Sequence, residues 1–168
     1  DLPKGDSRKG DIPMKHFTDL IAACLPEVDE IFPWDLVENI AAKPDTILLD
    51  VREPEEFAAL HIEGSMHVPR GILESACDWD YDDTVPELAG GRDRDIVVIC
   101  RSGNRSVLAA HTMKLMGFKH VVSLKTGVRG WNDFEQPLID AQGQPVDIDT
   151  ADELLASRVR PEQRRPAA

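Results

Sequence analysis

The stretch Ile96-Val97-Val98-Ile99-Cys100-Arg101-Ser102-Gly103-Asn104-Arg105-Ser106-Val107 decides how this chain folds. Its first four residues are apolar and β-branched, the pattern of a strand buried on both faces in a parallel sheet. From Val107 to Met116 the sequence reads as a helix, with Gly117 as the residue expected just past its end. The turn between them therefore lies at the carboxyl end of a strand and at a helix N-terminus, among free backbone N–H groups and the positive end of the helix dipole. Arg101 and Arg105 add positive charge, and together these influences favour the thiolate, the nucleophilic form of cysteine. Gly103 permits the tight curl that turns amides inward at one anion. Cys100 could also be a small buried hydrophobe at a strand end, but a core position has no use for two neighbouring guanidiniums. The expectation is a Cys100 nucleophile acting on an anionic substrate, held by Arg101, Ser102, Gly103, Asn104, Arg105 and Ser106.

Outward from this turn, strands alternate with helices. Met14–Leu25 has Phe17, Leu20, Ile21 and Cys24 at helical spacing, so Cys24 is expected to pack, and Pro26 ends the element. A second helix starts at Pro33-Trp34-Asp35 and runs over Leu36–Ala42. Thr46–Val51 reads as a buried strand with Asp50 near its end, Glu53–Leu60 as a short helix, Met66–Pro69 as a strand and Gly71–Cys77 as another helix. Asp78–Arg94 is acidic and irregular. Val121–Leu124 is a strand, Val128–Phe134 a closing helix, and Thr150 and Glu153 suggest a capping box for a C-terminal helix. This order predicts an α/β fold with a mainly parallel sheet and right-handed crossovers. In such sheets the reactive loop lies at the carboxyl ends of the strands.

The chain has 168 residues, 42% of them hydrophobic, which is enough for one domain with a real core. Its formal charge of −12 argues against nucleic acid or an anionic membrane as the main partner. The basic loop at Cys100 is a local exception to that field. Cys24, Cys77 and Cys100 are too few and too scattered for a disulfide framework or a metal site. Free thiols suit a reducing, cytoplasmic compartment; a periplasmic one stays open if a leader was removed ahead of Asp1. No segment reaches the roughly 20 apolar residues of a membrane-spanning helix.

Four blocks in order resemble the rhodanese, or sulfurtransferase, family. They are Leu49-Asp50-Val51-Arg52-Glu53 through Glu56-Phe57, His61-Ile62, Gly64 and His67-Val68-Pro69; the loop Cys100–Ser106; Ala109-Ala110, Met113, Gly117-Phe118 and Val121; and Leu124, Gly127 and Trp131. The match covers residues 31–140, leaving an N-terminal arm and helix over 1–30 and a C-terminal helix with a disordered tail over 141–168. The resemblance implies a rhodanese-like α/β fold, with a central, mainly parallel five-stranded sheet flanked by helices on both faces, and a thiosulfate sulfurtransferase activity. A sulfane sulfur would pass from a small anionic donor, thiosulfate or a persulfide, through a Cys100 persulfide to a thiol, cyanide or protein thiol acceptor, with no metal or organic cofactor. Arg101 and Arg105 would hold the donor's sulfonate, and Asp50 and Arg52 would support the loop from a structural network. His61 and His67 are expected to be hydrogen-bonded rather than metal ligands, and Trp131 to lie in the core. Negative charge around Asp78-Trp79-Asp80 argues against Cys77 as a resolving thiol. Leu60 and Thr126 stand where the family usually has glycine, and altered loop packing is expected there, away from the nucleophile. Two other readings remain: a persulfide carrier or regulatory module with weak thiosulfate activity, and a cysteine-dependent phosphatase or arsenate reductase. The phosphatase pattern places one residue more between cysteine and arginine, making a larger ring.

Overall fold

The computed structural model describes residues 1–3, 10 and 13–167. Most of the arm expected over residues 1–13 lies outside that set. The elements are α1 (Phe17–Cys24), β1 (Asp29–Ile31), α2 (Pro33–Ala42), β2 (Ile47–Asp50), α3 (Pro54–Ala59), β3 (Met66–His67), α4 (Leu73–Ala76), α5 (Pro86–Ala89), β4 (Asp95–Ile99), α6 (Asn104–Leu115), β5 (His120–Leu124), α7 (Gly127–Asp133) and α8 (Ile148–Leu155). The five strands form one parallel sheet in the order β1-β5-β4-β2-β3, with β4 at its centre.

Period-two alternation along the central strands divides the core into two layers. Ile96, Val98 and Cys100 point to one side with Leu49, Val107, Ala110 and Met113. Val97 and Ile99 point to the other with Leu36, Leu48, Val128, Trp131 and Leu155. Cys100 thus continues the β4 alternation onto the face covered by α6. The position of its thiol beneath that helix follows from strand register alone.

Several boundaries differ from the sequence reading. β1 has only three residues, of which Asp29 and Glu30 are exposed, so neither length nor alternation announces it. Gly71–Cys77 divides into a 3₁₀ turn, Arg70–Ile72, and α4, while the irregular acidic stretch contains α5. The N-cap of α8 is Asp147, not Thr150. The Asp147 carboxylate accepts from the Thr150 N–H and hydroxyl, both at 2.9 Å. Pro161–Gln163 forms a 3₁₀ turn inside the tail expected to lack structure, closed by the Gln163 N–H on the Arg160 carbonyl. Gly117 ends α6 as expected, at φ +94°, with the Phe118 N–H reaching back to the Met113 carbonyl.

β2 ends on a buried ion pair. Asp50 is 0% and Arg52 2% exposed. Arg52 Nη2 donates to Asp50 Oδ2 at 2.8 Å and to the Leu60 carbonyl at 2.7 Å, Nε bridges both Asp50 oxygens, and Nη1 reaches the Glu56 carbonyl at 3.4 Å. The pair fastens α3 and the turn after it to the end of β2. Leu60 itself is buried at φ −164°, an extended conformation any residue adopts, so its replacement of glycine strains nothing. His67 Nε2 meets the Arg52 carbonyl at 2.9 Å and His61 Nδ1 the Phe57 carbonyl at 2.8 Å, while both rings stack on Phe57. Arg52→Ala would strand the Asp50 carboxylate without water, so urea unfolding should show a loss of about 3–5 kcal/mol. A loss no larger than that of an exposed ion pair, under ~1 kcal/mol, would contradict this account.

Candidate active site

The loop after β4 forms a cup around Cys100. Gly103 adopts φ +93° and is the N-cap of α6. Its N–H donates to Cys100 Sγ at 3.1 Å. On the other side, Sγ lies 3.3 Å from Ser106 Oγ, which is 2.7 Å from Ser123 Oγ. Cys100, Ser106 and Ser123 are all buried. In the thiol state the S–H donates to Ser106. In the thiolate state the hydroxyls can turn, Ser123 donating to Ser106 and Ser106 to sulfur. The sulfur then accepts two bonds from groups already in place.

A second loop supports this one by direct backbone contact. The Val128 N–H donates to the Cys100 carbonyl at 2.9 Å and the Arg129 N–H to the Arg101 carbonyl at 3.0 Å. A Cβ at Gly127, whose φ is +62°, would run into the Cys100 carbonyl oxygen, and one at Gly103 would come within 2.9 Å of the Thr126 nitrogen. Thr126 takes φ +68°, rare for a β-branched residue, and its hydroxyl occupies the space that a Gly130 side chain would need. The Thr126 substitution therefore abuts the Cys100 loop rather than lying away from it.

The loop side chains divide. Cys100, Arg101, Ser102, Asn104 and Arg105 line a pocket of about 260 Å³, together with Phe17 from α1. Ser102 and Asn104 are exposed at its mouth, while Gly103 and Ser106 are buried and do not line it. The two arginines expected to converge on the substrate are each already engaged. Arg105 makes a two-pronged pair with Glu56, both N···O distances 2.9 Å. Arg101 Nη2 donates to the Leu155 carbonyl, the last residue of α8, at 2.6 Å. The Arg105 guanidinium holds the Glu56 carboxyl below its ordinary range, and Glu56 in turn raises Arg105. Asp50 and Arg52 stand one step back and reach the loop through Glu56. Cys77 is fully buried, and burial pushes its thiol up to about 11, against a smaller opposing effect of Arg92. Desolvation, more than the acidic neighbours, keeps it unreactive. Cys24 packs against the α6-side core.

Sequence reasoning missed Ser123, Glu56 as a partner of Arg105, and Phe17. A serine inside the apolar run Val121–Leu124 was a usable signal. The other two meet the loop only through long-range packing. Among the described residues no group of three or more His, Cys, Asp or Glu could hold a metal ion, and no helix is long and apolar enough to cross a membrane.

The chain belongs to the rhodanese-like domain family, whose profile matches residues 33–134. It is 36% identical over 111 residues to a candidate sulfur carrier protein of Bacillus subtilis, covering 66% of this chain and 52% of that one. It is 33% identical over 110 residues to a candidate mitochondrial thiosulfate sulfurtransferase of Schizosaccharomyces pombe, covering 61% and 78%. A Rhodopseudomonas palustris structure described as a possible tyrosine phosphatase of unknown function superimposes with a TM-score of 0.66 over 82% of this chain and 98% of that one. At 24% identity it speaks for the fold alone.

Two measurements probe this geometry. Ser106→Ala removes a hydroxyl that faces the sulfur; a hydrogen bond to a charged group contributes about 1.5–3 kcal/mol, so alkylation of Cys100 at neutral pH should slow about ten- to a hundredfold. An unchanged rate would show that Ser106 does not serve the thiolate. The Glu56–Arg105 pair should also leave a pH signature. Glu56 is depressed in the fold, so its stabilising contribution is complete above the ordinary value of 4.5 and disappears as pH falls through the lower folded value. The difference in unfolding free energy between the wild type and Glu56→Gln should therefore be flat at neutral pH and shrink below that point. A difference that does not change with pH would rule out the charged pair as its source.

Proposed function

We propose that this chain is a thiosulfate-type sulfurtransferase that carries a sulfane sulfur on Cys100. The observation that carries the reading is the Cys100 sulfur at the carboxyl end of β4, in a small cup, accepting the Gly103 N–H at 3.1 Å. The Cys100 thiolate attacks the outer sulfur of thiosulfate; the sulfur–sulfur bond of the donor breaks, sulfite leaves with the electron pair, and Cys100 becomes a persulfide anion. An acceptor thiolate, cyanide or a protein thiolate then attacks the outer sulfur, and Cys100 leaves as the thiolate. Neither step requires a metal or an organic cofactor.

The cup suits these steps because the persulfide places its charge on an atom still within the loop, where inward N–H groups stabilise it. Arg101 and Arg105, both on the pocket wall, offer N–H groups not used by Leu155 or Glu56 to the donor's sulfonate. A carrier role is the second reading, favoured by the description of the Bacillus relative. It differs only in the acceptor, which would be a protein thiol. Residues 31–140 carry the Cys100 loop and its supports in either case.

Thiosulfate treatment should add the mass of one sulfur atom at Cys100, removable by a reductant and absent in Cys100→Ser. Aryl-phosphate hydrolysis should stay at background, because four residues between Cys100 and Arg105 make a smaller ring than the phosphatase loop. Labelling at Cys24 or Cys77 with transfer retained in Cys100→Ser would falsify the assignment, and robust phosphatase turnover would replace it.

A further inference from the structure

The segment that follows the family match builds a second cavity beside the Cys100 pocket. It measures about 550 Å³, more than twice the volume at Cys100 and within the roughly 300–1,000 Å³ of small-molecule sites. One wall comes from α3 and the residue after it, through Ala59 and Leu60, and the other from α8 and the turn after it. Arg101 lines both cavities, and the Glu56–Arg105 pair reaches from one to the other.

The charges in this cavity do not balance. Arg52 is paired with Asp50, and Glu56 with Arg105. That leaves Arg101 and Arg158, which hydrogen-bond only to backbone carbonyls, of Leu155 at 2.6 Å and Glu153 at 3.3 Å, and make no ion pair among the described residues. Two uncompensated guanidiniums in one cavity of a chain with net charge −12 call for an anion. Leu154 and Val159 leave apolar surface in the same wall, 44% and 49% exposed. An inorganic sulfur oxyanion would fill neither the volume nor the apolar wall.

We propose that this cavity is a subsite for a carboxylate-bearing organic thiol of about tripeptide size, the sulfur acceptor of Cys100. This inference rests on the sulfurtransferase reading. The acceptor's carboxylates lie against Arg158 and Arg101, its chain against Leu154 and Val159, and its thiolate enters the neighbouring pocket. There the thiolate attacks the outer sulfur of the persulfide, the bond to Cys100 Sγ breaks, and the organic persulfide anion leaves with Cys100 restored as thiolate.

Binding can be tested without sulfur chemistry, which separates this inference from the one beneath it. S-methylglutathione, which has the carboxylates but no thiol, is titrated calorimetrically into the full chain, into Cys100→Ser and into Arg158→Glu, with S-methylcysteamine as the probe lacking carboxylates. Arg158 is exposed, so its replacement should leave the fold intact, as circular dichroism would verify. Saturable binding is expected to the wild type and to Cys100→Ser alike, with an affinity loss of about tenfold or more in Arg158→Glu and no binding of S-methylcysteamine. No saturable binding by the wild type overturns the subsite even if thiosulfate loads Cys100. Equal affinity in Arg158→Glu, or equal binding of the two probes, overturns it as well. Binding by a protein that fails to load sulfur would leave the subsite standing and remove the transfer reading.

Discussion

A guanidinium removed from water must place its N–H groups on the protein, and Arg52 spreads the bonds it makes over three separate pieces of chain. Asp50 at the end of β2 accepts from Nε and Nη2, the Leu60 carbonyl from Nη2 and the Glu56 carbonyl from Nη1. Removing two ions from water is costly, and only this geometry offsets it. The consequence for the site is indirect. With α3 fixed to the sheet, the Glu56 side chain projects at a set height above the loop, and Arg105 at the start of α6 meets it with both nitrogens. The loop's curvature is thereby held at both ends: Cys100 by the sheet, Arg105 by an ion pair anchored to the same sheet through Arg52.

The loop's other support is steric. Gly103 and Gly127 adopt left-handed backbone and face a neighbouring main chain with no room for a Cβ. Two turns at the carboxyl ends of adjacent strands can then interlock, and the Val128 and Arg129 N–H groups satisfy the carbonyls of Cys100 and Arg101. Carbonyls enclosed this closely by the fold would otherwise need water. Thr126 in the same turn holds a conformation that glycine would hold with less strain, tolerated because Gly130 leaves space for its side chain.

What could be read from the sequence was what local pattern dictates. The run Ile96–Ile99 gave β4 with Cys100 at its carboxyl end, and Gly103 marked the curl at the helix start. The strand-helix order gave a mainly parallel sheet. Interactions between residues far apart in the chain were not legible. Nothing near Arg105 announces Glu56, 49 positions away, and nothing near Arg101 announces the Leu155 carbonyl, 54 positions away. β1 escaped because an exposed, acidic edge strand of three residues has no alternation to detect. At α8 the capping signal was genuine but misplaced: Thr150 does donate, yet to Asp147, the residue that holds the N-cap.

On the proposed reading, these tethers bear on how one site can serve two half-reactions. Cys100 would carry a single negative charge as thiolate and again as persulfide, so a transfer cycle would leave the charge in the cup constant and change only its position, by one sulfur. Dipoles fixed in advance are suited to that task, because they stabilise both states without rearranging. Free arginines would instead follow the charge and would bind the sulfite product of that reading as well as the donor. With Arg105 shared by Glu56 and Arg101 resting on the C-terminal carbonyl of α8, each guanidinium has part of its donor set already used. Under that reading, such partial engagement would weaken retention of the anionic leaving group while preserving a positive entrance to an acidic protein. It also ties the C-terminal helix to the Cys100 loop, since the favourable place for a cation at the end of α8 is the one Arg101 occupies.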